Sequence, residues 1–195
     1  MSAVCAKHPD ETLRSEAVFG WGQDCGKCEG VYRTKVKNRI CDEIGVPIRF
    51  EGASLSHQAP GQEHLWAALK ILVSAPGTIP TGLLILGKTG TGKTHGICAA
   101  LNAMAGIKTC RYLSAREFMR EIAGTWKSGA PETETHVVDR LIRLDCLALD
   151  EMGVHGTSQT AEGILTEVLD ARYSAMRPTV LAGNLTPMEA QGILG

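Results

Sequence analysis

Hydrophobic residues in this chain gather in short apolar runs, and the segments between them carry helical spacing or turn chemistry. Leu83-Leu84-Ile85-Leu86 is short enough for a buried parallel strand, and Thr94 to Leu101 reads as a helix. Thr109 to Leu113 reads as a second strand. Ser114-Ala115-Arg116-Glu117 has capping-box spacing, in which a hydroxyl and a carboxylate exchange hydrogen bonds with backbone N–H groups, and predicts a helix through about Trp126. Leu144 to Leu149 forms a further apolar strand ending in Asp150 and Glu151, and Thr160 to Met176 carries Ile164, Leu165, Val168 and Leu169 as a core-facing helical stripe. Pro178 to Gly183 reads as another strand ending in the amide of Asn184, and Thr186-Pro187-Met188-Glu189 opens a helix with capping-box spacing. Strands that alternate with helices predict an α/β fold, a parallel sheet with flanking helices.

The polar stretch after the first strand has its own chemistry. Gly87-Lys88-Thr89-Gly90-Thr91-Gly92-Lys93-Thr94 matches G-x-x-x-x-G-K-[ST], the phosphate-binding loop of nucleoside triphosphatases, with a strand before it and a helix after it. Its glycines let backbone N–H groups turn inward around phosphates, and the helix N-terminus adds positive potential. Lys93 neutralises phosphate oxygens and Thr94 can ligate Mg²⁺, which makes ATP with Mg²⁺ the expected ligand. Asp150 and Glu151 stand at the strand edge where α/β folds bind ligands. Asp150 is placed to hold Mg²⁺ through its shell, and Glu151 to polarise the attacking water. If the Asn184 strand lies between those bearing the loop and the carboxylates, Asn184 reaches both γ-phosphate and water.

Composition narrows the partners. The 195 residues carry 20 Lys+Arg against 21 Asp+Glu, so no global basic field advertises nucleic acid and any DNA contact is local. No stretch approaches the roughly 18 apolar residues of a membrane span, and the first residues lack a signal-peptide core, so a cytoplasmic protein without a membrane partner is expected. In a reducing compartment clustered cysteines read as metal ligands. Cys5, His8, Cys25 and Cys28 form two C-x-x-[CH] pairs, the four N/S ligands of a structural Zn²⁺. Cys41, Cys98, Cys110 and Cys146 read as packing residues, and the basic run Tyr32 to Ile40 as a helical link. The expected organisation is a zinc-binding module and linker over residues 1–45, followed by the nucleotide-binding core over 46–195.

The series Gly87 to Thr94, Leu147 to Gly153, Asp170-Ala171-Arg172-Tyr173 and Arg177-Pro178-Thr179 to Thr186 resembles the DnaC-type AAA+ helicase loaders, especially phage versions. The Cys5/His8/Cys25/Cys28 pattern and the Ile44 to Phe50 entry are similar to phage loaders of this type as well. The resemblance implies an AAA+ ATPase that delivers a DnaB-type replicative helicase onto single-stranded DNA. It also implies an amino-terminal module that grips the helicase, and a homo-oligomer on it. By the same resemblance the stretch around Trp126 and Ser158 faces single-stranded DNA, where an aromatic ring stacks on a base. Members of that group continue past Gly195 into a helix with an arginine finger and a last strand. Slow ATP turnover is the expectation without them, with Arg172 and Arg177 the nearest and poorly placed substitutes. Three other readings fit the same core: an IstB-like transposition helper, a P-loop small-molecule kinase, and an adaptor that binds ATP without turning it over. The metal cluster separates the first from the loaders, and the missing Arg-rich lid argues against the kinase.

Overall fold

The structure, a computed structural model, describes residues 42–58, 61–74, 82–153 and 159–194, all within the second of two compact units, Ile40–Gly195. The zinc ligands expected at Cys5, His8, Cys25 and Cys28, the basic link, Cys41 and Ser158 lie outside the described residues.

Among the described residues four parallel strands form one sheet: β1 Gly82–Leu86, β2 Cys110–Ser114, β3 Cys146–Met152 and β4 Thr179–Gly183, in the order β1-β4-β3-β2. Among the described residues six α-helices run around it: α1 Glu63–Ser74, α2 Lys93–Met104, α3 Ala115–Thr125, α4 Glu134–Arg143, α5 Gln159–Ser174 and α6 Pro187–Leu194. The register aligns Leu86 with Gly183, Gly183 with Met152, and Ser114 with Asp150, so the carboxyl ends of all four strands share one edge.

Alternation along β3 separates two layers. Leu147 and Leu149 pack with Phe118 and Ile122 of α3, Val137, Val138 and Leu141 of α4, and Ile164 and Val168 of α5. Asp150 points the other way, to α2. There α1 lies on α2 so closely that a Cβ added at Gly96 would come within 2.8 Å of Leu69 Cδ1. His95 stacks on Phe50 and meets Trp66 edge-on. Asn102 Nδ2 donates to the carbonyls of Phe50, Glu51 and Ala53 at 3.0, 3.2 and 2.9 Å and pins that segment to α2.

Both capping boxes form as predicted: Ser114 Oγ accepts from Glu117 N, and Thr186 Oγ1 from Glu189 N, with each glutamate reaching back to its N-cap. The expected stripe on α5 also holds, with Ile164 and Val168 buried and Leu165 and Leu169 half-buried. Two helices, α1 and α4, are additional to the elements that the apolar pattern predicted. β3 begins at Cys146 rather than Leu144, because Leu144 is the C-cap of α4 and its carbonyl accepts from Arg172. Arg172, 0% exposed, spends its guanidinium on that helix end and on the start of β4: Leu141, Ile142, Leu144 and Pro178 carbonyls and Thr179 Oγ1. The carbonyls of Leu141, Ile142 and Leu144 are the orphans that the end of α4 leaves, and a cation is the favoured group there.

Candidate functional site

The loop Gly87–Gly92 leaves β1 at the shared edge and enters α2, whose N-cap is Gly92 at φ +81. No side chain caps this helix, so its first N–H groups are open toward the loop. Gly90 also has positive φ, and nothing lies within 4 Å of where its Cβ would be. At Gly92 an added Cβ would meet Gln62 Oε1 at 2.8 Å, the movable end of a flexible side chain, so it is the positive φ that calls for glycine there. An open glycine loop over an uncapped helix N-terminus is the donor set that a phosphate group fits.

Lys93, 8% exposed, folds back over this loop. Its Nζ donates to Gly87 O at 2.6 Å, Lys88 O at 2.9 Å and Asn184 Oδ1 at 2.8 Å. Asn184 Nδ2 in turn donates to Thr89 Oγ1 at 3.1 Å, and Thr91 Oγ1 donates to Lys88 O at 2.9 Å. Asn184 directly follows β4, which lies between β1 and β3, and this order meets the condition on which its expected reach depended.

On the β3 side, Thr94 Oγ1 donates to Asp150 Oδ2 at 2.6 Å. Asp150 is 2% exposed and also accepts from Tyr112 Oη at 3.1 Å and from the Glu151 N–H at 2.7 Å. Glu151 is exposed and has φ +60, next to a register shift between Leu149 and Met152. Such a bulge re-aims a side chain, and a non-glycine residue held at positive φ is strain that the surrounding structure must hold in place. Burial, and then the Asp150 charge, push the Tyr112 phenol well above its ordinary range, so it remains a protonated donor. The same two causes, in the same order, push the Cys98 thiol up to about 12.

The sequence-predicted nucleotide residues Gly87, Lys88, Thr89, Gly90, Thr91, Gly92, Lys93 and Thr94 thus converge with Asp150, Glu151 and Asn184 on one edge of the sheet. A hydroxyl and a carboxylate joined by a hydrogen bond are hard oxygen donors, and Mg²⁺ binds through one or two such groups plus substrate phosphates. Thr94 and Asp150 would hold that ion, which when bound supplies charge neutralisation at the phosphates. Among the described residues no group of three or more His, Cys, Asp and Glu side chains is arranged to hold a metal. Trp126 stands apart at the C-cap of α3, 50% exposed, with its indole Nε1 donating to Glu134 Oε2 at 2.6 Å. Tyr112 and Gln62 are site neighbours that sequence reasoning missed. On β2 Tyr112 stands in register with Ala148, two positions before the Ser114–Asp150 pair and therefore on the same face, a placement that only the strand register supplies.

A family model described as IstB-like ATP binding protein matches residues 80–195. The replicative helicase loader DnaC of Buchnera aphidicola subsp. Schizaphis graminum is 25% identical over 154 residues, 78% of this chain and 62% of that relative. The chain therefore spans less than two thirds of the length of that relative. A crystal structure of the DnaC helicase loader superposes with a TM-score of 0.63 at 20% identity, over 76% of this chain and 90% of that one. AMPPCP-bound DnaA from Aquifex aeolicus gives a TM-score of 0.65 at 22% identity, over 72% of this chain and 44% of that one. These likenesses carry the fold, a parallel sheet with flanking helices.

Proposed function

We propose a function that proceeds from one fact: this chain belongs to the family of IstB-like ATP binding proteins. It is an ATP-dependent loader that delivers a DnaB-type replicative helicase onto single-stranded DNA. The observation that carries this reading is the likeness to curated DnaC loaders in a chain whose Lys93, Asn184, Thr94 and Asp150 meet around an open phosphate loop. In this role Gly87 to Thr94 cradle the phosphates of ATP, and Thr94 and Asp150 hold Mg²⁺. Glu151 orients the attacking water and Asn184 senses the γ-phosphate.

Residues 1–45 form the helicase-gripping module, built around Zn²⁺ on Cys5, His8, Cys25 and Cys28, since so short a segment cannot build a sufficient core. About one zinc per chain in protein purified without chelator is the expected stoichiometry, and a value well below one removes the module. Copies assemble on the helicase in the cytoplasm, and Trp126 contributes a weak, local contact to single-stranded DNA.

Co-purification with a DnaB-type hexamer in the presence of ATP tests the function. A complex that depends on nucleotide is expected. Failure to capture the helicase, together with stimulation of a transposase, would favour the second reading, a transposition helper, which the IstB-like family match supports.

A further inference from the structure

Asp150 receives three hydrogen bonds from described residues. Oδ2 accepts from Thr94 Oγ1 and Tyr112 Oη, and Oδ1 from the Glu151 N–H. A carboxylate offers about four acceptor positions, so these donors leave one, on Oδ1. Thr94 gives its single proton to Oδ2 and keeps its lone pairs for a cation.

Two of the donors come with the motif: Thr94 closes the phosphate loop, and Glu151 is the next residue on β3. Tyr112 comes from β2, and the residue is 6% exposed. Phenylalanine would fill the same space. The oxygen adds one thing, a second bond to Oδ2 from a direction that neither the loop nor the backbone supplies. A carboxylate held by one donor on each oxygen still has freedom to turn, whereas two donors on Oδ2 and one on Oδ1 fix both its plane and which oxygen remains available.

We propose that Tyr112 is a positioning residue for Asp150: its hydroxyl fixes the carboxylate and reserves the remaining Oδ1 position for the magnesium shell of the bound nucleotide. The proposal rests on the nucleotide-site reading above. Tyr112 touches neither nucleotide nor metal in this role and acts only through Asp150.

The test is equilibrium binding of a fluorescent ATP analogue to the full chain and to Tyr112→Phe, titrated with Mg²⁺ and repeated in EDTA. The Mg²⁺ midpoint is expected to rise about 10- to 100-fold in the variant, the usual effect of removing an outer-shell partner, while binding in EDTA is unchanged. In an Asp150→Asn background the same substitution is expected to do nothing more, because the interaction it removes is already lost. An unchanged Mg²⁺ midpoint overturns the proposal. So does equal weakening with and without Mg²⁺, which would make Tyr112 a packing residue, or an undiminished effect in the Asp150→Asn background. A wild-type chain that binds no nucleotide at any Mg²⁺ concentration overturns the nucleotide-site reading itself, and this proposal with it.

Discussion

Lys93 Nζ donates to Asn184 Oδ1 at 2.8 Å across 91 positions of sequence, joining the phosphate loop to the end of β4. The ammonium is held in place by loop carbonyls and one amide, without a carboxylate among these partners. A phosphate therefore meets an uncompensated positive charge in a loop already shaped for it.

Lys93→Ala is expected to lower nucleotide affinity by more than about 100-fold, since the strongest charge-assisted contacts in such a loop depend on this side chain. The fold should survive. The three part-buried hydrogen bonds lost lie at the edge of the sheet and outside the apolar core, and a net cost of about 1–3 kcal/mol lowers Tm by roughly 2–12 °C. Nucleotide titration and thermal unfolding on the same sample check both halves, and unchanged ATP affinity would remove the loop from the site.

Arg172→Met should be among the most destabilising changes in the chain. It takes the guanidinium donor from the carbonyls of Leu141 and Ile142, and one of two donors from those of Leu144 and Pro178, which keep Arg177 Nη1 and Leu147 N; each buried acceptor left unmade costs about 1–3 kcal/mol. A loss of at least about 3 kcal/mol in urea unfolding is expected. Arg172→Lys should rescue little, because one ammonium cannot reproduce the planar fork that serves α4 and β4 together. A loss under about 1 kcal/mol for the Met variant would mean that water replaces the guanidinium at no great cost.

Met176→Gly should stabilise the protein. Met176 has φ +54 and follows α5 in a Schellman arrangement, with Arg177 N donating to Arg172 O at 2.9 Å and Met176 N to Tyr173 O at 3.0 Å. The left-handed conformation costs a residue with a Cβ about 1 kcal/mol, and the Met176 side chain is largely exposed, so little packing is lost. A gain of about 0.5–1 kcal/mol by denaturant titration is expected. A loss of stability would show that the methionine side chain packs more than its exposure suggests.

Alkaline pH should weaken the fold from about pH 9 upward. Burial raises the thiols of Cys98 and Cys146 from 9.0 to about 12. Between those values the folded protein keeps both protons and the unfolded chain releases them. Stability is thus fully present below pH 9 and is lost as pH rises toward 12. Each thiol contributes a slope of about 1.4 kcal/mol per pH unit over that window. Cys98→Ala should flatten the measured slope by one proton equivalent. An identical slope in that variant would place the alkaline transition on other groups.

Local chemistry made much of this molecule readable. A hydroxyl and a carboxylate three residues apart announced α3 and α6, and the loop motif located Lys93 and Thr94 before any fold was known. Asn184 was legible only conditionally, because its use depends on β4 entering between β1 and β3, a fact of topology that no window of sequence contains. α4 went unread although Thr133 accepts from His136 N as its cap and Val137, Val138 and Leu141 face the core. Its apolar residues are few and border the next strand, so Leu144 read as strand when it closes the helix. Tyr112 and Arg172 were silent for a different reason. Their partners are 38 and up to 31 residues away, and a lone tyrosine in a strand or arginine in a helix has nothing beside it to suggest a buried carboxylate or a set of helix-end carbonyls.

The order β1-β4-β3-β2 puts the last of the described strands in the interior, between the first and the third. Growth of the sheet is therefore not outward by addition at an edge. On the ribosome, β2 and β3 can pair before β4 exists, whereas β1 has no partner among the other described strands until β4 has been synthesised. Lys93 finds Asn184 only at that moment, so the loop is tied to the centre of the sheet late. A ligand that binds there selects chains whose final insertion step is complete, and in doing so slows the reverse step by which the central strand would escape.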